Sequence, residues 1–87
     1  MDIFLHSKFE KKLARVPMPI RRALADRIGL FKEDRRHPLL NDHALMGNRK
    51  GLRSINITGD WRVIYEPLGV TAVRFLEIDT HHNLYGT

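Results

Sequence analysis

No cysteine occurs in the 87 residues. That absence excludes a disulfide framework and a thiolate metal site, and it makes the chain read as cytosolic and stabilised by packing alone. No run of about 18 apolar residues is present, which excludes a membrane-spanning helix. The start lacks a basic segment followed by a long apolar stretch, so no signal peptide is expected. Nor is there an H-E-x-x-H pair, a carboxylate cluster or a Cys/His ligand spacing, so no metal or other cofactor is expected. Internal repeats and low-complexity segments are also missing.

What the chain does hold is positive charge. Fifteen Lys and Arg stand against ten Asp and Glu, a formal net charge of +5. That balance points to an anionic partner, for which RNA, DNA or an acidic protein all qualify. The surplus is concentrated early: up to His37 there are ten Lys/Arg against five Asp/Glu. An apolar share of 43% is ordinary for a globular chain, and the length suits one domain spanning residues 1–87.

Local patterns give the elements. Asp2-Ile3-Phe4-Leu5 reads as a first strand. Ser7 and Glu10 fit a capping box opening a helix whose stripe is Phe9, Leu13 and Val16. Pro17-Met18-Pro19 ends it. A second helix is expected from about Pro19 to about Arg36, with Ile20, Leu24, Ile28 and Phe31 buried, the two forming an antiparallel hairpin. Strands follow at Leu52 to Thr58, Trp61 to Glu66 and Val70 to Ile78, joined at Gly59-Asp60 and at Pro67-Leu68-Gly69. The tail from Asp79 is too polar for core. The expected fold is α+β: an N-terminal helical hairpin packed on a three- or four-stranded, mainly antiparallel sheet.

The stretch from Leu40 to Trp61 contributes little to a core. It holds His43, a basic cluster between glycines (Gly47, Arg49, Lys50, Gly51, Arg53), and a turn with Asp60 and Trp61. Phosphodiester cleavage in RNA needs a base for the 2′-OH proton, an acid for the leaving 5′-oxygen and positive charge on the phosphoryl oxygens. His43, His81 and Asp60 can share the proton roles, while Arg49, Lys50, Arg53 and Arg62 supply charge. Trp61 or Tyr85 can stack on a base. Plain alternatives stand beside these: Asp60 is a common turn residue, and Trp61 at a hairpin is more often a packing residue than a base platform. Adjacent histidines on an extended segment point apart, so at most one of His81 and His82 is expected to face a site. His6 and His37, beside helix ends, read as structural.

Three separated segments carry a resemblance: Leu40-x-Asp42-His43-x-Leu45-x-Gly47-x-x-Lys50-Gly51-x-Arg53, then Asp60-Trp61-x-x-Ile64-Tyr65, then Thr80-His81-x-x-Leu84-Tyr85-Gly86. Together they resemble the YafQ-like branch of the RelE/ParE toxin superfamily. The resemblance implies a RelE-like fold and a toxin of a type II toxin–antitoxin pair. It implies a ribosome-dependent, metal-independent endoribonuclease that cleaves mRNA and is held inactive by an acidic antitoxin, through which it reaches operator DNA indirectly. His43, Asp60 and His81 fall on family positions implicated in acid/base catalysis. Trp61 aligns with an active-site aromatic, and Tyr85 sits where the family often has phenylalanine.

Two positions depart from that pattern. Asn56 stands where some relatives have a catalytic histidine, and Glu77 where they have an arginine, a reversal of charge for which Arg53, Arg62 or Arg74 are the candidate replacements. A second reading therefore stays open: a ParE-like protein of the same fold that blocks a target such as DNA gyrase without cutting RNA. The histidines favour cleavage. With Glu77 and Asp79 close in sequence, His81 is the expected general acid, leaving His43 as the base with Asp60 to orient it.

Overall fold

Alternating apolar residues in the C-terminal half produce a platform on which everything else is laid. The computed structural model describes residues 1–86. In chain order the elements are β1 (Asp2–Leu5), α1 (Ser7–Leu13), α2 (Met18–Glu33), β2 (His43–Ala44), β3 (Arg53–Asn56), β4 (Trp61–Leu68), β5 (Ala72–Thr80) and α3 (His81–Tyr85), with short 3-10 turns at Pro38–Leu40 and Gly47–Arg49. The strand order is β1-β5-β4-β3-β2. β1 runs parallel to β5 and every other pairing is antiparallel.

One face of this sheet carries the core. Ile55 and Ile57, Val63 and Tyr65, and Val73, Phe75 and Ile78 are buried there against Phe9 and Val16 from the α1 region and Leu24 and Phe31 of α2. Phe9 meets Phe75 and Phe31 meets Tyr65 edge-on, with ring centroids 5.5 and 5.2 Å apart. That geometry sets a ring edge against a neighbour's π face. Ile20 and Ile28 of the expected α2 stripe are only partly buried.

The α+β expectation holds, and the differences are local. The sheet has five strands rather than three or four. β1 adds a parallel edge, and His43-Ala44 pairs with Ser54 and Arg53. So short a strand has no alternation to read; its partner creates it. The Leu40 to Trp61 stretch also gives Leu40, Ile55 and Ile57 to the core, contrary to expectation. α1 is capped by His6, whose Nδ1 accepts from the Lys8 N–H at 3.0 Å, so Ser7 already lies in the first turn and is not the cap. His37 does the same for the Leu39 N–H at 3.1 Å, so both histidines read as structural do cap helices. α2 begins at Met18 and stops at Glu33, short of Arg36, because Asp34 turns extended. The tail read as merely polar forms α3: Thr80 Oγ1 caps the Asn83 N–H at 3.2 Å, and the Gly86 N–H closes on His82 O at 2.7 Å. Thr80 three residues before Asn83, with Gly86 beyond, was the available sign of a one-turn helix.

A polar knot fixes where the loop after α2 enters the sheet. The Tyr65 hydroxyl donates to Asp42 Oδ2 at 2.5 Å, and Arg53 Nε to Asp42 Oδ1 at 2.7 Å. Arg35 Nε lies 3.2 Å from Oδ2, and the Asp42 side chain is only 4% exposed. Burial, then the hydrogen bond to Asp42, pushes the Tyr65 phenol far above its usual range. The hydrogen bond to Asp42 likewise raises Arg53. This knot lies on the helical side of the sheet.

Candidate functional site

Residues directly opposite one another in an antiparallel pair share a face. The register therefore sorts the candidate residues without ambiguity. Arg53 is opposite Tyr65, and Trp61 shares the parity of Val63, so both face the helices. The Trp61 indole packs against the core, and Arg53 is bound to Asp42. The other face carries a row running His43, Ser54, Ile64, Glu77 across β2, β3, β4 and β5, and beside it a row of Asn56, Arg62 and Asp79.

Ser54 and Ile64 on this second face are fully buried, although Ile64 is not part of the core cluster. On this face the Gly47–Arg49 turn and α3 meet through Arg49. Gly47 and Gly51, at φ of +67° and +93°, bracket the turn in the left-handed region that glycine adopts without a Cβ clash. They thereby bend Arg49 back over the sheet. Arg49 Nη1 donates to Leu84 O at 3.0 Å, its Cζ lies 5.5 Å from the centre of the Tyr85 ring, and Nη2 is 3.7 Å from Glu77 Oε2. Tyr85 in turn packs on His81, with ring centroids 4.7 Å apart. Arg49, Glu77, His81 and Tyr85 form one contiguous group.

The remaining candidates are held separately. The Asp60 carbonyl accepts from the His81 N–H at 2.8 Å, so the turn is tied to the start of α3 while the Asp60 residue stays exposed. His43 is exposed on the same face as Ser54, its Nδ1 2.8 Å from Asn41 O. A carbonyl only accepts, so Nδ1 carries the proton and a neutral ring presents Nε2 as its free acceptor. Asn41, not Asp60, is thus the group that orients His43. Arg62 wraps the β3–β4 turn, donating to Thr58 O, Trp61 O and Gly59 O at 3.0, 3.1 and 3.1 Å. Lys50 is exposed beside Arg49, and of the two adjacent histidines His82 is the exposed one.

Two structural roles were not read from the sequence. Ser54 Oγ, Asn56 Oδ1 and the Tyr85 hydroxyl are buried without a hydrogen-bond partner among the described residues. All three belong to this face or to the helix above it, which is unusual for a region serving packing alone. Asp79 is the second. Its Oδ2 accepts from Lys12 Nζ at 3.1 Å and its Oδ1 from the Thr80 N–H and Asn83 Nδ2 at 2.8 and 2.9 Å. It anchors the start of α3 to α1. Glu77 and Asp79 are both paired with cations, Arg49 at 3.7 Å and Lys12 at 3.1 Å. Among the described residues, no group of three His, Cys, Asp or Glu is placed to hold a metal ion.

Asp79 has a pH consequence. Burial pushes its carboxyl up, but the hydrogen bonds from Asn83, Thr80 and Lys12 outweigh burial and hold it below the usual range. A folded-state value below the unfolded one contributes stability above about pH 4, lost as pH falls through the folded value. Urea unfolding of wild type and Asp79→Asn should therefore differ most at neutral pH, the gap closing as the solution is acidified. A gap that is constant with pH would count against this clamp.

No protein-family model matches the chain, and no curated protein matches it by sequence. Solved structures do. The chain is 30% identical to YafQ in the E. coli DinJ–YafQ complex, covering 98% of each chain with a TM-score of 0.73. It is similar to a YoeB/ParE toxin from Agrobacterium tumefaciens at 19% identity, covering 93% of this chain and 99% of that one, TM-score 0.76. A third match is in the RelBE2 toxin–antitoxin complex of Mycobacterium tuberculosis, at 22% identity, 92% and 96% coverage, and TM-score 0.70. The last two share the fold.

Proposed function

Given that the chain belongs to the RelE/ParE toxin superfamily, with YafQ among its relatives, we propose that it is the toxin of a type II toxin–antitoxin pair and cleaves mRNA on the ribosome. The observation that carries this reading is the sheet face away from the helices. His43 lies at one side of it, and His81, Tyr85 and Arg49 are folded over the other, beside polar atoms that no group among the described residues satisfies. A surface that only blocked a target has no use for two imidazoles there.

In the proposed reaction the His43 Nε2 accepts the ribose 2′-OH proton, aided by the bond that holds Nδ1 on Asn41 O. The 2′-oxygen forms a bond to phosphorus as the P–O5′ bond breaks. His81, as imidazolium, gives its proton to the departing 5′-oxygen. The products are a 2′,3′-cyclic phosphate and a 5′-hydroxyl, with no metal involved in the step. Asp60 acts from the His81 side, where its main chain fixes the start of α3. Arg49, Lys50 and Tyr85 make the RNA contact, whereas Arg53 and Trp61 lie on the helical side of the sheet and Arg62 holds the β3–β4 turn.

So few gripping side chains give weak, salt-dependent affinity for free RNA. The ribosome supplies strand geometry that the protein lacks. The net charge of +5 suits an acidic antitoxin, and the E. coli DinJ–YafQ and the RelBE2 structures are toxin–antitoxin complexes. Primer extension on mRNA from cells expressing the protein tests the reading: discrete new 5′ ends are expected, suppressed by co-expressing the adjacent acidic partner. Growth arrest with no new ends, and with inhibited gyrase, would replace it with the non-nucleolytic reading.

A further inference from the structure

Cleavage of a phosphodiester builds negative charge on the non-bridging oxygens, and a preorganised cation must meet it. Apart from Arg49 and the exposed Lys50, a point charge without a guanidinium's fork, the cations around this face are committed. Arg62 is bonded to three carbonyls of its own turn. Arg53 faces the other side and holds Asp42. Arg74 is exposed and paired with Glu66 at 3.4 Å, toward the far end of β5. Lys12 is held by Asp79.

Arg49 is different. Of its five N–H donors, one hydrogen bond, to Leu84 O, is formed. The 3.7 Å separation from Glu77 is too long for another, and both side chains stay partly open to solvent. Its guanidinium rests on Tyr85, which rests on His81, so the Tyr85 ring links it to the proposed acid. Glu77 lies on the same face, close enough to orient the guanidinium and too loosely bound to monopolise it.

We infer that Arg49 is the cation that meets the scissile phosphate and that Glu77 is its positioning residue. This rests on the nuclease reading of the same site. Neither Arg53, Arg62 nor Arg74 takes the place of the charge reversed at Glu77; the loop does, by delivering Arg49 across the strand. An arginine fork matches two phosphoryl oxygens at once, which a lysine at the same place does not.

Single-turnover cleavage on programmed ribosomes tests it with wild type, Arg49→Ala and the double variant Arg49→Ala/Glu77→Arg. Arg49→Ala should slow cleavage by about 10²–10³-fold. In the double variant a guanidinium returns to the same face from β5, and about ten-fold or more of that loss should be recovered. If Arg49→Ala cuts like wild type, or if the double variant is no faster than the single one, Arg49 merely fastens α3 and the inference falls. A separate measurement does not depend on catalysis: titration with inorganic phosphate, followed by the NMR signal of the Arg49 Nε–H. A saturable shift is expected in wild type and in His81→Ala. Should wild type cleave nothing while that shift persists, the nuclease reading fails and the anion site stands. No saturable shift overturns the assignment of Arg49.

Discussion

Replacing either His43 or His81 by alanine is expected to reduce mRNA cleavage on the ribosome by about 10²–10⁴-fold, the usual cost of losing a positioned acid or base. The fold should barely register either change. His43 is exposed and bonded only to the Asn41 carbonyl, so its removal leaves no buried group unpaired. His81 gives up its contact with Tyr85, but the main-chain bond to Asp60 survives in alanine. Both variants should therefore keep their unfolding midpoint and their antitoxin affinity while losing cleavage and growth arrest. The two single losses should also fail to multiply in the double variant if the imidazoles act in one concerted step. Wild-type rates in both single variants would remove the histidines from the mechanism.

The second large effect concerns stability. Asp42→Ala strips the partner from a buried phenol and two arginines at once. Removing one member of a buried pair costs about 3–5 kcal/mol. Arg35 and Arg53 keep 37% and 29% exposure and recover some hydration, which favours the lower end, about 3 kcal/mol. In a domain this size that lowers Tm by about 12–24 °C. Tyr65→Phe should cost less, about 1–3 kcal/mol, since only one hydrogen bond is lost and its acceptor keeps two cations. Thermal unfolding of the two variants and their combination checks this. Additive losses would mean that Asp42 and Tyr65 are not coupled, contrary to the geometry.

The fold was legible where periodicity was strong. Phe9, Leu24 and Phe31, and the alternation Ile55, Ile57, Val63, Tyr65, mark buried stripes, and they are buried. His43-Ala44 was not legible, because two residues have no period and their pairing is decided by β3. The parity rule was available for Trp61: two residues before Val63 it had to face the core with it, whatever its neighbour Asp60 suggested. The arginines were harder. Arg53 is claimed by Asp42, 11 residues earlier, and Arg62 by the turn just before it, while Arg49 acquires its place from Leu84 and Glu77, far along the chain. Charge can be counted in a sequence, but which carboxylate or carbonyl holds each cation is settled only when the strands pair.

The most direct test uses purified protein, ribosomes programmed with a defined mRNA, and the same mRNA free in solution at physiological salt. The account predicts cuts only in the ribosome-bound message, each leaving a 2′,3′-cyclic phosphate and a 5′-hydroxyl. Efficient cutting of the free RNA, products with 5′-phosphate ends, or an intact message on the ribosome would contradict it.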